Sequence, residues 1–142
     1  MPSDYTSFIA DNLFLVALFL ILLTAIIITE TKKLTKKYKD LTPAQAVQLL
    51  NRENAVMIDV REVSELSGDG IRDAKHMSFS TLTNRLAELL KAKDKPVIAF
   101  CMNGFKSSKA CRLLCKQGFT KVYCLKGGIV AWKDANMPVV KK

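Results

Sequence analysis

Histidine is almost missing from this chain: His76 is the only one in 142 residues. The four cysteines, Cys101, Cys111, Cys115 and Cys124, include no second close pair, so no ligand set with zinc spacing can be assembled and no bound metal is expected. Lys and Arg are absent before Glu30, where the only charged side chains are Asp4 and Asp11. A cleavable signal peptide wants positive charge ahead of its apolar core and a small-x-small cleavage site behind it. Neither occurs, which favours an uncleaved anchor. No basic stretch is interleaved with aromatic residues, and this counts against nucleic acid as a partner.

What the first thirty residues do contain is apolar. Residues 13–28 are interrupted only by Thr24, and Phe8, Ile9 and Ala10 extend the block across Asp11 and Asn12. A helix over residues 8–29 would reach ~33 Å at ~1.5 Å per residue, against a hydrocarbon thickness of about 30 Å. One membrane pass is therefore expected, with Asp11 and Asn12 at an interface. Basic residues follow the span at Lys32, Lys33, Lys36, Lys37 and Lys39. By the positive-inside bias they leave the C-terminal part in the cytoplasm, on the inner face of the cytoplasmic membrane. The expected organisation is a tail and span over 1–29, a basic linker over 30–40 and a globular domain over 41–142. From residue 41 onward, seventeen basic side chains face nine acidic ones within a net charge of +9. Such a domain draws anionic ligands or an acidic membrane surface.

In the globular part, Thr42 can cap a helix with Pro43 at its first position, running through Leu50 to a turn over 51–54. Residues 55–60 read as a buried strand ending near Asp59 and Arg61. Residues 81–91 repeat leucine at Leu82, Leu86, Leu89 and Leu90, the stripe of a helix packed on a sheet. Gly118 stops a later helix, residues 122–125 form another short strand, and Gly127-Gly128 turns into a helix carrying Trp132. Strands alternating with helices predict an α/β fold, a mostly parallel sheet with helices on both faces. Cys111, Cys115 and Cys124 are expected to be core residues, with a resolving role toward Cys101 as the alternative. His76 is expected at the surface or a strand edge, and the tail over 139–142 to be loosely held.

One stretch is organised differently. After Pro96, the apolar run Val97, Ile98, Ala99 and Phe100 is long enough for a buried strand and too short for a helix. Cys101 ends it, Asn103 and Gly104 permit a tight turn, and Ser107 or Ser108 can cap a helix through about Gln117. A thiol there meets unpaired N–H groups and the positive end of a helix, worth roughly 0.3–1 kcal/mol and ~2 when partly buried. That would lower a free cysteine from about 8.5 toward 7 or 8 and make it a nucleophile at neutral pH. The same donors suit an anionic reaction partner. An ordinary buried cysteine at a strand end is the alternative.

Residues 94–140, DKPVIAFCMNGFKSSKACRLLCKQGFTKVYCLKGGIVAWKDANMPVV, resemble the C-terminal half of a rhodanese domain, the family of persulfide-forming sulfurtransferases. Ile58-Asp59-Val60-Arg61-Glu62 is similar to that family's "DVRE" strand end, and the likeness covers roughly residues 40–140. It is weakest over 67–79, where the "GHIxGA" pattern is not kept. The resemblance implies a rhodanese-like fold behind a transmembrane helix, with Cys101 as the catalytic residue. The loop of Cys101, Met102, Asn103, Gly104, Phe105 and Lys106 would wrap a sulfane sulfur, with Ser107 adding its amide. Lys106 stands where Arg is frequent, keeping the charge without the bidentate geometry. Asp59 and Arg61 would pair behind the loop and steady it. The implied activity moves sulfur from a small anionic donor, such as thiosulfate, a polysulfide or a persulfide, to a thiol or another thiophile, with no cofactor. A domain kept only for docking a partner and a Cys-based phosphatase or arsenate reductase are the rival readings.

Overall fold

The computed structural model describes residues 2–34, 36–66 and 68–141. Met1, Thr35, Ser67 and Lys142, which belong to segments assigned above, lie outside the described residues. The chain divides into two units, Met1–Lys36 and Lys37–Lys142. In the first, helix α1 (Pro2–Asp11) and helix α2 (Leu13–Leu34) meet at a turn at Asn12. The single helix expected over 8–29 is therefore longer at both ends and broken once, where the Asn12 side-chain amide donates to the Phe8 carbonyl at 2.9 Å. Among the described residues, Leu13–Lys32 is the one helical stretch long and apolar enough to cross a membrane.

The second unit is built on a five-stranded sheet. Its strands are β1 (Lys39–Leu41), β2 (Val56–Asp59), β4 (Lys75–His76), β5 (Val97–Phe100) and β6 (Val122–Leu125), in the spatial order β1-β6-β5-β2-β4. Every neighbouring pair is parallel. The linker assigned to 30–40 is thus taken up at both ends: α2 runs to Leu34, and Lys39 and Asp40 pair with Tyr123 and Cys124 in the sheet. Tyr38, just before β1, is 4% exposed and belongs to the core. No apolar periodicity marks so short an edge strand, which is why the sequence hid it.

Residue alternation along the strands divides the core in two. Val97, Ala99 and Cys101 join Ile58, Val60, Val122 and Cys124 on one face, covered by Leu82, Leu89, Ala110, Cys111 and Leu114. Ile98 and Phe100 join Met57 and Leu125 on the other, covered by Ala46, Ile129 and Trp132. Helices therefore lie on both faces, as a parallel sheet requires. On the second face are α3 (Pro43–Glu53) and α7 (Gly128–Asp134). Thr42 and Gln45 close a capping box at the start of α3, which runs through the turn expected over 51–54 and ends at Asn54 in the left-handed region, φ 52°. On the first face, the leucine stripe is not one helix: α4 (Phe79–Leu82) and α5 (Leu86–Leu90) flank a tighter 3₁₀ turn. Leu82 and Leu89 are buried, while Leu90 is exposed.

Helix α6 (Phe105–Lys116) follows β5 directly and ends before Gly118, at φ 90°. The expected loose tail is held: β7 (Val140–Lys141) pairs antiparallel with β3 (Asp69–Gly70), inside the stretch where the family pattern lapses. Trp132 Nε1 donates to the Pro138 carbonyl at 2.9 Å on the way back.

Gly128 shows how tightly α7 meets the rest. A Cβ there would fall 2.3 Å from the Cys101 carbonyl oxygen and 2.6 Å from that of Met102, at a φ of +62°. Gly68 has a comparable φ of +87° but open space around it. Gly128→Ala is expected to cost about 2–4 kcal/mol of unfolding free energy, combining overpacking and backbone strain, and Gly68→Ala about 1 kcal/mol from strain alone. Chemical denaturation of the two variants measures the difference.

Candidate active site

Cys101 follows β5 at the carboxyl end of the sheet, in the middle of the strand order. The turn after it is set by Gly104, at φ 99°, which serves as N-cap of α6. The helix thus starts at Phe105, ahead of the serines expected to cap it. This places Ser107 and Ser108 inside the first turn, where both hydroxyls donate back to the Gly104 carbonyl, at 3.1 and 2.8 Å. Gly104 was legible as a turn residue, but its left-handed conformation starts the helix and the serines do not.

Two amides of the loop reach the sulfur. Gly104 N–H donates to Cys101 Sγ at 3.0 Å and Ser107 N–H at 3.5 Å. The amide of Phe105 is taken instead by Asn103 Oδ1 at 3.2 Å. Cys101 itself is 2% exposed, so the thiol is closed off from solvent in this conformation. The Phe105 side chain, by contrast, lies on the surface at 67% exposure with Lys109 Nζ 4.6 Å from its ring centre. Met102 is half-buried against the second core face.

The back of the loop is held by α7. Ile129 N–H donates to the Cys101 carbonyl at 2.9 Å and Val130 N–H to the Met102 carbonyl at 3.4 Å. Sequence reading took Gly127-Gly128 as a turn only. Close backbone approach is the other standing use of glycine, and it was available as a signal.

Lys106 does not stand free at the end of the loop. Its ammonium forms an ion pair with Glu65, on the 3₁₀ turn Val63–Glu65, at 2.5 Å. Lys106 beside it, followed by the Glu62 backbone, holds the Glu65 carboxyl below the ordinary glutamate range. Glu65 was missed in the sequence because it is 41 residues away from Lys106.

Asp59 and Arg61 come together as expected, in complete burial. Arg61 Nε lies 3.0 and 3.1 Å from the two carboxylate oxygens, and Nη2 lies 2.8 Å from Oδ2. Nη2 also donates to the Asp69 carbonyl at 2.8 Å, tying β3 to the sheet. The guanidinium carbon lies 5.8 Å from the centre of the Phe100 ring, one residue from Cys101. Nη1 has no hydrogen-bond partner among the described residues. His76, on the edge strand β4, donates from Nε2 to the Arg61 carbonyl at 2.8 Å.

Under the loop, Ser107 Oγ lies 3.1 Å from Cys124 Sγ and accepts from Cys101 Sγ at 3.6 Å. Cys111 Sγ donates to the Tyr123 carbonyl at 3.3 Å. The neighbouring Cys111 thiol, with lesser help from Ser107 and Ser108 against the opposing effect of burial, lowers the Cys124 thiol to about 7, while Cys124 beside it and burial push Cys111 well above the usual thiol range. Cys111 and Cys124 are core residues, as expected; Cys115 is only half-buried.

A cysteine held by loop amides, where a parallel strand gives way to a helix, defines a cysteine-loop α/β domain. The family model of the rhodanese-like domain matches residues 42–135, and the chain belongs to that family. The uncharacterized protein YibN of Escherichia coli K12 is 33% identical over 139 residues, which is 97% of each chain. Thiosulfate sulfurtransferase GlpE of Glaesserella parasuis is 31% identical over 102 residues, 72% of this chain and 93% of its own. The crystal structure of a rhodanese-related protein from Thermoplasma volcanium superposes with a TM-score of 0.66 at 26% identity, covering 74% of this chain and 100% of that one.

Two outcomes follow from these pairs. Asp59→Asn leaves the buried Arg61 charge uncompensated and is expected to cost about 3–5 kcal/mol in chemical denaturation. For Glu65, a depressed pKa means that its pairing stabilises fully above the ordinary glutamate value and is lost as pH falls through the folded-state value. Lys106→Gln is expected to raise the Glu65 titration, followed by carboxyl NMR, toward the ordinary range, with the Glu62 backbone still holding it partly down.

Proposed function

We propose that this chain is a membrane-anchored sulfurtransferase that carries sulfur as a persulfide on Cys101. The observation that supports it is the pair of amide donors, from Gly104 and Ser107, on the Cys101 sulfur. Donors placed there stabilise negative charge that develops on the reacting sulfur. The Cys101 thiolate attacks the outer sulfur of thiosulfate, a polysulfide or a persulfide, and the rest of the donor leaves with the electron pair of the broken S–S bond. A thiol or another thiophile then takes the outer sulfur and restores Cys101. The half-reactions are separate, so kinetics are ping-pong. The basic domain draws anionic donors toward the loop. Asp59 and Arg61 hold the end of β2 beside it, and neither step needs a metal or an organic cofactor.

Residues 8–29 anchor the chain in the cytoplasmic membrane, and the lysines after them keep the domain in the cytoplasm. Helical hydrogen bonding throughout Leu13–Lys32, with polar residues kept to its ends apart from Thr24, suits a span.

Burial of Cys101 favours one rival, a docking module in which the chemistry idles, because a donor reaches this sulfur only when the loop gives way. Intact mass of the full chain in detergent separates the two. After thiosulfate treatment the wild type is expected to gain one sulfur atom, discharged by cyanide, and Cys101→Ser to gain none. A gain that persists in Cys101→Ser rejects the assignment, and no gain in either protein leaves the module.

A further inference from the structure

Lys106 closes the loop that begins at Cys101, and the amide of the next residue, Ser107, donates to the Cys101 sulfur at 3.5 Å. A full cation in that place would attract an anionic donor in proportion to the donor's charge. Lys106 does not offer one, because its ammonium lies 2.5 Å from Glu65 Oε1. The domain around it has cations in excess: from residue 41, seventeen basic side chains stand against nine acidic ones. An acid placed on this lysine therefore lowers the positive charge where an anion would react.

The carboxylate is held there by more than Lys106. Glu65 ends the 3₁₀ turn Val63–Glu65, and its second oxygen, Oε2, accepts the Glu62 N–H at 3.0 Å. The Glu62 side chain is fixed in turn, accepting the Ser80 N–H at 3.1 Å and the Ser80 hydroxyl at 2.9 Å. The turn is thus tied down, with one oxygen of Glu65 on its own backbone and the other on the loop. Lys106 and the Glu62 backbone hold the Glu65 carboxyl below the ordinary glutamate range, so it stays ionised at neutral pH. The other cations nearby are also engaged: Arg61 with Asp59, and Lys109 over the Phe105 ring.

We propose that Glu65 sets the donor specificity of the loop: by sharing the Lys106 charge it disfavours doubly charged donors such as thiosulfate relative to singly charged ones, and the donor class that fits is a persulfide, R–S–S⁻. This deepens the sulfur-carrier reading and rests on it. With either donor the Cys101 thiolate forms a bond to the outer sulfur as the S–S bond of the donor breaks, its electron pair leaving on sulfite or on the thiolate R–S⁻. What differs is the charge brought in, two units for thiosulfate and one for a persulfide. Attraction to an unshared ammonium scales with that charge, so sharing it weakens the hold on a dianion twice as much as on a monoanion. Glu65 touches no reacting atom and acts through Lys106, as a positioning residue.

Thiosulfate and methanethiosulfonate, CH₃–SO₂–S⁻, each give up an outer sulfur bonded to an oxidised sulfur, leaving sulfite or methanesulfinate, and they differ by one charge. The test is the ratio of their second-order rates of sulfur loading on Cys101, read by intact mass of the full chain in detergent. In Glu65→Gln the ratio is expected to move toward thiosulfate by about three- to tenfold, the size of one added charge interaction near a protein surface, and the gain should shrink as salt is raised. Lys106→Gln should move it the other way. The double variant should return near the wild-type ratio, because the ion pair and its neutral replacement carry the same net charge. Glu53 ends α3 just ahead of β2, at the opposite edge of the parallel sheet from Cys101, so Glu53→Gln adds the same charge to the protein and should leave the ratio unmoved.

Loosening of the loop alters both rates together and cancels from the ratio. A Glu65→Gln ratio equal to wild type overturns the proposal, as does an equal shift in Glu53→Gln. Wild type that loads sulfur from neither donor fails the sulfur-carrier reading and the proposal with it, whereas loading with an unmoved ratio fails the proposal alone.

Discussion

Peptide planes carry their carbonyl and their N–H in opposite directions, and the loop after Cys101 is arranged around that constraint. The carbonyls of Cys101 and Met102 are turned outward to the first amides of α7. With those carbonyls anchored, and with Gly104 in the left-handed region, the amides of Gly104 and Ser107 turn inward to the sulfur. Gly128 is the hinge of the arrangement, because only a residue without Cβ lets α7 come within reach of those carbonyls. The site is thus sandwiched between two helix starts on opposite faces of one sheet, α6 offering donors to the sulfur and α7 offering donors to the backbone behind it.

Behind the loop, charge is managed by pairing. Asp59 and Arg61 are fully buried at the end of β2, and their mutual hydrogen bonds offset part of the desolvation cost of burying both charges. Arg61 also reaches the Asp69 carbonyl, so the same side chain fixes the small β3–β7 sheet, and through it the returning C-terminal strand. At the front, the Lys106 charge is shared with Glu65 and is not delivered whole to the loop. The ion pair is a third exposed and therefore worth little to stability, but it sets the charge at the end of the loop.

Much of this was readable from residues alone. The apolar run ending at Cys101, the Thr42-Pro43 helix start, the glycine stops and the alternation of strand and helix each have local causes, and the sheet and its helices stand where those causes put them. Where local signals were weak, reading failed: β1 is three residues long, the leucine stripe hid a 3₁₀ break at Thr83–Arg85, and the serines after Gly104 mimicked a cap one turn too late. The last two are cases where tertiary packing overrode a pattern that was present.

Sequence by itself determined the class of fold, the position of the cysteine at a strand end, the pairing of Asp59 with Arg61 and the apolar helix ahead of the domain, because each depends on neighbours within a turn or a strand. Tertiary structure alone decided which amides reach the sulfur, that Glu65 claims Lys106, that Gly128 backs the loop and that Cys124 lies under Ser107. Those contacts join residues far apart in the chain, and their existence depends on strand register and helix placement, which no local propensity encodes.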